Sequence, residues 1–201
     1  MKKFGLILSM VIMLAQVYIC CNNHKATNVE KQVYYKIYSQ KDSLIGFSLR
    51  KYVFSNDTMI EKSLSINLEG KKMNNSKQTF FKKGKDVYIF SNIKNNRDKY
   101  LYFSPSLKDT CLHVDRNIQN FYLCNKGKID FKKHKNVYEV LYDERGYDSR
   151  KETLILDKDY TLLARFEDCY NYRKEIITEN MKEIESAKIM LENVSKQLPW
   201  W

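Results

Sequence analysis

Cys111, His113 and Asp115 stand at alternate positions in "CLHVD". On an extended strand, side chains two residues apart share a face, so a thiol, an imidazole and a carboxylate would form one row. Such a row suggests a zinc ligand set or a hydrolytic centre. The surrounding sequence supplies neither a second ligand cluster nor a nucleophile motif, so the plainer reading is a surface histidine beside a turn aspartate. His24 falls in a polar stretch and His134 in a lysine-rich turn, and neither adds a ligand. Asp143, Glu144, Asp148, Glu152, Asp157 and Asp159 concentrate acid in the second half. They lack the glycine-centred spacing of calcium loops and read as solvated turns. The expectation is no metal, no cofactor and no catalytic residue. An enzyme would require His113 and Asp115 to converge with a further polar group in a pocket.

Cys111 has a second possible use. It and Cys124 flank "LHVDRNIQNFYL", and a hairpin turning at the centre of that interval sets the two cysteines across from each other. A disulfide and a pair of buried thiols both fit this spacing. Cys169 is left over.

The remaining two cysteines, Cys20 and Cys21, are adjacent and follow an unusual leader. Met1-Lys2-Lys3 is basic, and Phe4 to Ile19 (FGLILSMVIMLAQVYI) carries no charge. This is the pattern of an export signal, with the lysines held in the cytoplasm. The uncharged run reaches only to His24, close to the shortest length that spans a bilayer. An ordinary cleaved signal or an uncleaved anchor are the rival readings, and each takes the rest of the chain out of the cytoplasm. Export also makes a disulfide chemically permissible.

Basic start, apolar core, then cysteine followed by polar "NNHKATN" together resemble the signal of a bacterial, Bacteroidetes-like membrane-anchored lipoprotein. The resemblance implies a diacylglycerol on a cysteine thiol that becomes the new N-terminus. The motif takes a small residue before that cysteine: Cys21 follows the small Cys20, whereas Cys20 follows the bulky Ile19. Cys21 is therefore the expected lipidation site, with Cys20 as the alternative. Tyr18 and Ile19 depart from the small or aliphatic residues usual at those positions. Acyl chains contribute about 0.8 kcal/mol per buried methylene, enough for two or more to hold a protein durably on a membrane. Residues 1–20 would then be the signal peptide and 21–28 a polar tether. The tether lacks the acidic run that resembles the surface-export signal of Bacteroidetes lipoproteins, which places the protein facing the periplasm.

The chain has 201 residues, 43% of them hydrophobic, which suits a single domain over residues 29–201. Its net charge of +11 comes from lysines and arginines interspersed with acids rather than gathered in a run. That is the distribution of a solvated surface, and without a recognition motif it argues against nucleic acid. Fifteen tyrosines and ten phenylalanines favour pleated strands.

Thr27-x-x-Glu30 has the spacing of a capping box, and Val29, Val33, Tyr34, Ile37 and Tyr38 follow with a helical period, which predicts an N-terminal helix. The tyrosine and β-branched content of "VYYKIY" supports a strand instead. From Ile45 the period is two: Ile45, Phe47, Leu49 and Val53, then Ile60, Leu64, Ile66 and Leu68 alternating with Glu61, Ser63, Ser65, Asn67 and Glu69. These are half-buried antiparallel strands. Short apolar runs such as "DVYIF", "KYLYF", "NVYEVLY", "ETLIL" and "YTLLARF" continue the meander, separated by Asn- and Asp-rich links that turn without glycine. Ile177, Ile184, Leu191 and Leu198 recur every seven residues and predict an amphipathic C-terminal helix that covers the open face of the sheet. The fold class is α+β: an antiparallel meander, as a curved sheet or half-barrel, with an N-terminal and a C-terminal helix.

"IGFSLRKYVF", "FFKKGKDVYIF" and "NVYEVLYDERGYDSRKETLILDKDYTLLARF" are similar in strand rhythm to the LolA/LolB lipoprotein-carrier superfamily. That resemblance implies a curved sheet with helices around an apolar cavity, and it transfers no binding residue. The expected function is a non-catalytic envelope lipoprotein, partnered with the membrane through its anchor, that binds an apolar or lipid-like ligand on a concave sheet. A protein-binding lipoprotein, such as an immunity or assembly factor, is the alternative, and a secreted enzyme is a third.

Overall fold

The computed structural model describes residues 29–90, 99–107, 111–115, 120–145, 150–168 and 173–201. Twelve strands form one antiparallel sheet: β1 (Val29–Ser39), β2 (Leu44–Ser55), β3 (Thr58–Asn67), β4 (Lys72–Lys83), β5 (Asp86–Phe90), β6 (Lys99–Phe103), β7 (Cys111–Asp115), β8 (Asn120–Phe131), β9 (His134–Arg145), β10 (Arg150–Leu156), β11 (Leu162–Asp168) and β12 (Arg173–Ile177). A 3-10 turn (Met181–Ile184) leads into one α-helix, α1 (Glu185–Ser195).

The sheet order is β6-β5-β4-β3-β2-β1-β12-β11-β10-β9-β8-β7. Six strands unroll from β1 in one direction and six from β12 in the other, so the first and last strands pair in the middle of the sheet. Curvature brings the two wings together into a nearly closed barrel. Tyr142 Oη donates to the Tyr102 carbonyl across the opening, Asn125 Nδ2 donates to the Ser104 carbonyl at 3.0 Å, and Tyr160 Oη donates to the Lys85 carbonyl at 3.1 Å. These bonds satisfy some of the backbone acceptors that a sheet edge exposes.

Residues 29–39 form a strand, not the helix that their spacing predicts. The same four-residue recurrence fits a strand buried on both sides: Val33, Tyr35 and Ile37 point into the barrel while Tyr34 points out beneath α1. Glu30, on this strand, pairs with Lys51 Nζ at 2.6 Å. Tertiary pairing with β2 and β12 overrides the local preference.

The C-terminal helix is present, shorter than its heptads suggest, and covers an apolar side of the sheet, here its outer face. Ile177 belongs to β12, and Ile184, Ala187 and Leu191 pack against Tyr34, Leu49, Leu64 and Ile66 on the outside of β1–β3. Phe47 and Leu49 of β2 and Leu64 and Ile66 of β3 therefore face outward beneath the helix, while Tyr52 and Met59 farther along these strands face inward. Ser48, Arg50, Glu61, Ser63 and Ser65, which alternate with them, face into the barrel.

One half of the interior is dry and full. Tyr35, Tyr52, Met59, Val87, Phe103, Leu123 and Val140 are buried there, with Tyr35 Oη donating to the Leu162 carbonyl at 2.7 Å. The other half is polar and open.

Candidate binding cavity

A cavity of about 650 Å³ occupies that open half, within the range of roughly 300–1,000 Å³ usual for small-molecule sites. Three strands supply most of its charge through one repeated pattern: Arg150-x-Glu152 on β10, Arg165-x-Glu167 on β11 and Arg173-x-Glu175 on β12. The period of a strand directs both members of each pair to one face. Antiparallel register then sets Arg165 opposite Glu175 and Glu167 opposite Arg173. Opposite charges facing each other across a ladder stabilise it.

Arg50, from β2, ties this charged wall to the rest of the barrel. Its Nε and Nη2 donate to the two carboxylate oxygens of Glu175 at 3.1 and 2.6 Å, and its Nη1 donates to Glu61 Oε1 at 2.5 Å. Ser48 Oγ also donates to Glu175. The guanidinium lies over the Tyr35 ring, 5.6 Å from its centroid, at the boundary between the dry and polar halves. The side chains of Arg50 and Glu175 are each only 9% exposed. Burial by itself would raise the Glu175 pKa, but the attraction and hydrogen bonds of Arg50 outweigh it and hold the carboxyl below its ordinary value. Burial would likewise lower the Arg50 pKa, and Glu175 and Glu61 reverse that.

A second cluster extends the belt. Arg150 Nη2 lies 2.7 Å from Glu167 Oε1 and 3.3 Å from Glu152 Oε2, while Arg165 Nε approaches Glu152 and stands 2.9 Å from Glu167 Oε1. The Nε of Arg150 is shielded from solvent and has no hydrogen-bond partner among the described residues. Four arginines and four glutamates line the cavity, so its lining is formally neutral.

The opposite wall is built from small polar side chains of β2, β3 and β4: Ser48, Ser63, Ser65, Asn74, Ser76 and Gln78. Ser63 and Ser76 face each other in register with their hydroxyls 2.7 Å apart. Aromatic rings complete the enclosure. Phe80 meets Tyr102 edge-on at 4.8 Å between centroids, and Tyr102 lies 5.4 Å from Tyr142. Tyr160 also lines the cavity from a left-handed backbone conformation (φ 65°), unusual for a bulky residue. It is held by the Asp157 turn, where Tyr160 N donates to the Asp157 carbonyl at 3.0 Å and Asp157 Oδ1 accepts from Thr161 N at 2.8 Å.

None of these lining residues belongs to the constellations that the sequence singles out as chemistry, except Glu152, which reads there as a solvated turn acid. It is instead a member of the ion-pair belt. Cys20 and Cys21 lie outside the described residues, as does Cys169. Cys111, His113 and Asp115 lie on β7, where the backbone register pairs them with Cys124, Tyr122 and Asn120. Cys124 is disulfide-bonded. His134 Nε2 lies 3.1 Å from Glu179 Oε1 at the surface. Among the described residues, no group of three or more His, Cys, Asp or Glu is arranged to hold a metal ion. A search for the Arg-x-Glu pattern on successive strands would have found the charged wall.

No protein-family model, curated protein or solved structure matches the chain.

Proposed function

We propose that the protein is a non-catalytic cell-envelope lipoprotein, anchored by an acylated Cys21 and facing the periplasm, whose curved sheet binds a small ligand in the open half of the barrel. The observation that carries the binding part is the 650 Å³ cavity walled by pre-paired, partly desolvated charges. Side chains already fixed by one another lose little freedom when a ligand arrives. A lipid-like ligand fits this cavity as an amphiphile, its apolar part against Phe80, Ile89 and Leu154 and its polar part at the arginine–glutamate belt. The protein-binding alternative calls for an exposed aromatic patch. The large exposed apolar residues among the described ones are Val29, Leu68, Met73, Met181 and Ile189, none of them aromatic.

The leader carries the anchoring part. Intact-mass spectrometry of membrane-extracted protein is expected to show a chain that begins at Cys21 and bears acyl groups. The double variant Cys20→Ser/Cys21→Ser is expected to leave the membrane fraction. An unmodified mature chain free in the periplasm, or a double variant that still sediments with vesicles, rejects the anchor.

A further inference from the structure

We propose that the group recognised in the cavity is a neutral, polyhydroxylated ring, the chemistry of a saccharide. This rests on the ligand-binding reading above and names the ligand class.

The argument begins with charge. Arg50, Arg150, Arg165 and Arg173 are matched in the lining by Glu61, Glu152, Glu167 and Glu175. A phosphate or carboxylate entering there meets as many carboxylates as guanidiniums, and a cation meets the reverse, so neither finds the one-signed field that concentrates charged ligands. A hydroxyl group donates and accepts at once. It can give its proton to a glutamate oxygen and take one from an arginine or serine, so every polar wall of this cavity matches it.

Geometry adds two points. Planar carboxylates and guanidiniums are locked by mutual ion pairs, so their unused lone pairs and N–H groups have fixed directions, and Arg150 Nε is a shielded donor with no protein partner among the described residues. The opposite wall repeats small hydroxyl and amide side chains, Ser63, Ser65, Ser76 and Gln78, at alternate positions on paired strands. Between them, Phe80, Tyr102 and Tyr142 offer aromatic surface on which the C–H face of a sugar ring can pack. A hydrocarbon chain would leave the belt's donors and acceptors desolvated without partners, which is costly. The dry half of the barrel, where a chain would be at ease, is filled by Tyr35, Tyr52, Met59 and Phe103.

The same chemistry is presented by a free oligosaccharide and by the headgroup of a neutral glycolipid, and the test separates them. Full-length protein in detergent is applied to an array of neutral, sialylated and phosphorylated glycans. In parallel it is incubated with phosphatidylcholine vesicles carrying monogalactosyl diacylglycerol, and with the hydrocarbon probe N-phenyl-1-naphthylamine. Retention of neutral glycans in solution supports the proposal with a free saccharide as the source, and binding restricted to the glycolipid supports it with the headgroup as the source. In either case Ser63→Ala/Ser76→Ala/Gln78→Ala, which leaves the ion pairs intact, is expected to weaken binding at least about tenfold. Retention of charged glycans alone, or of the hydrocarbon probe alone, overturns the saccharide and leaves the ligand-binding reading standing. No binding of any probe to the folded protein overturns both.

Discussion

Replacing Arg50 with Met is expected to destabilise the protein by about 3–5 kcal/mol, read as a fall in the urea midpoint at neutral pH. Arg50 is the single donor group that satisfies both oxygens of Glu175 and reaches Glu61 as well. Its loss strands a carboxylate that is 9% exposed and leaves it, among the described residues, with the Ser48 hydroxyl as its hydrogen-bond donor. The cost comes from that uncompensated charge rather than from the worth of the pair, so Arg50→Met/Glu175→Leu is expected to recover a large part of the deficit.

The pH dependence carries the same logic with a definite sign. In the intact protein the folded Glu175 pKa lies below its unfolded value, so the carboxylate's contribution to stability is present above the ordinary glutamate value of about 4.3 and disappears as the pH falls through the lower folded value. In Arg50→Met burial acts unopposed by Arg50 and pushes that pKa up, so acidification relieves the strain. The deficit of the variant is expected to narrow between about pH 7 and pH 4. A deficit that is constant across that range would show that Arg50 stabilises by packing alone.

The second large effect concerns the edge of the sheet. Among the described residues β7 pairs with β8 alone, and Cys111 is directly opposite Cys124 in that pairing. With Cys124 in a disulfide, a bond to Cys111 would staple the edge strand to the barrel and close a short loop. Loops of about 15 residues correspond to roughly 3 kcal/mol in the chain-entropy account. Cys111→Ser/Cys124→Ser, or treatment of the intact protein with dithiothreitol, is expected to cost about that much, measured by urea unfolding. The deficit should be the same by either route. A midpoint unmoved by both would remove the disulfide from the stability account. A deficit produced by Cys124→Ser but not by Cys111→Ser would point to a different partner for Cys124.

How far the sequence discloses this molecule depends on which physical signal one follows. The meander was legible because alternation over β2, β3 and the later strands is a direct imprint of a two-faced sheet. The direction of the faces was not. Leu49, Leu64 and Ile66 share one side of the sheet and Ser63, Ser65 and Glu61 the other, and it is α1 docking on the outside that makes the apolar side the outer one. A period of two says which residues share a side and is silent on which side is in. β1 misleads for a related reason: a strand apolar on both faces presents the recurrences of a helix as well. The Arg-x-Glu pairs of β10, β11 and β12 are ordinary surface chemistry in one dimension. They become a charged wall only through register, which sets Arg165 against Glu175 and Glu167 against Arg173. Cys111 and Cys124 show the opposite case, since the symmetry of the interval between them anticipates the cross-strand position that the register gives.

The central claim is that the open half of the barrel is a place where a molecule binds. Gln78, on the small-side-chain wall, can be replaced by Trp to fill that space from a position outside the ion-pair belt. Membrane-extracted wild-type protein and Gln78→Trp, purified identically and denatured, are compared by mass spectrometry of the small molecules they release. The account predicts a stoichiometric compound from the wild type that is missing from the variant; the same compounds in equal amounts from both would contradict it.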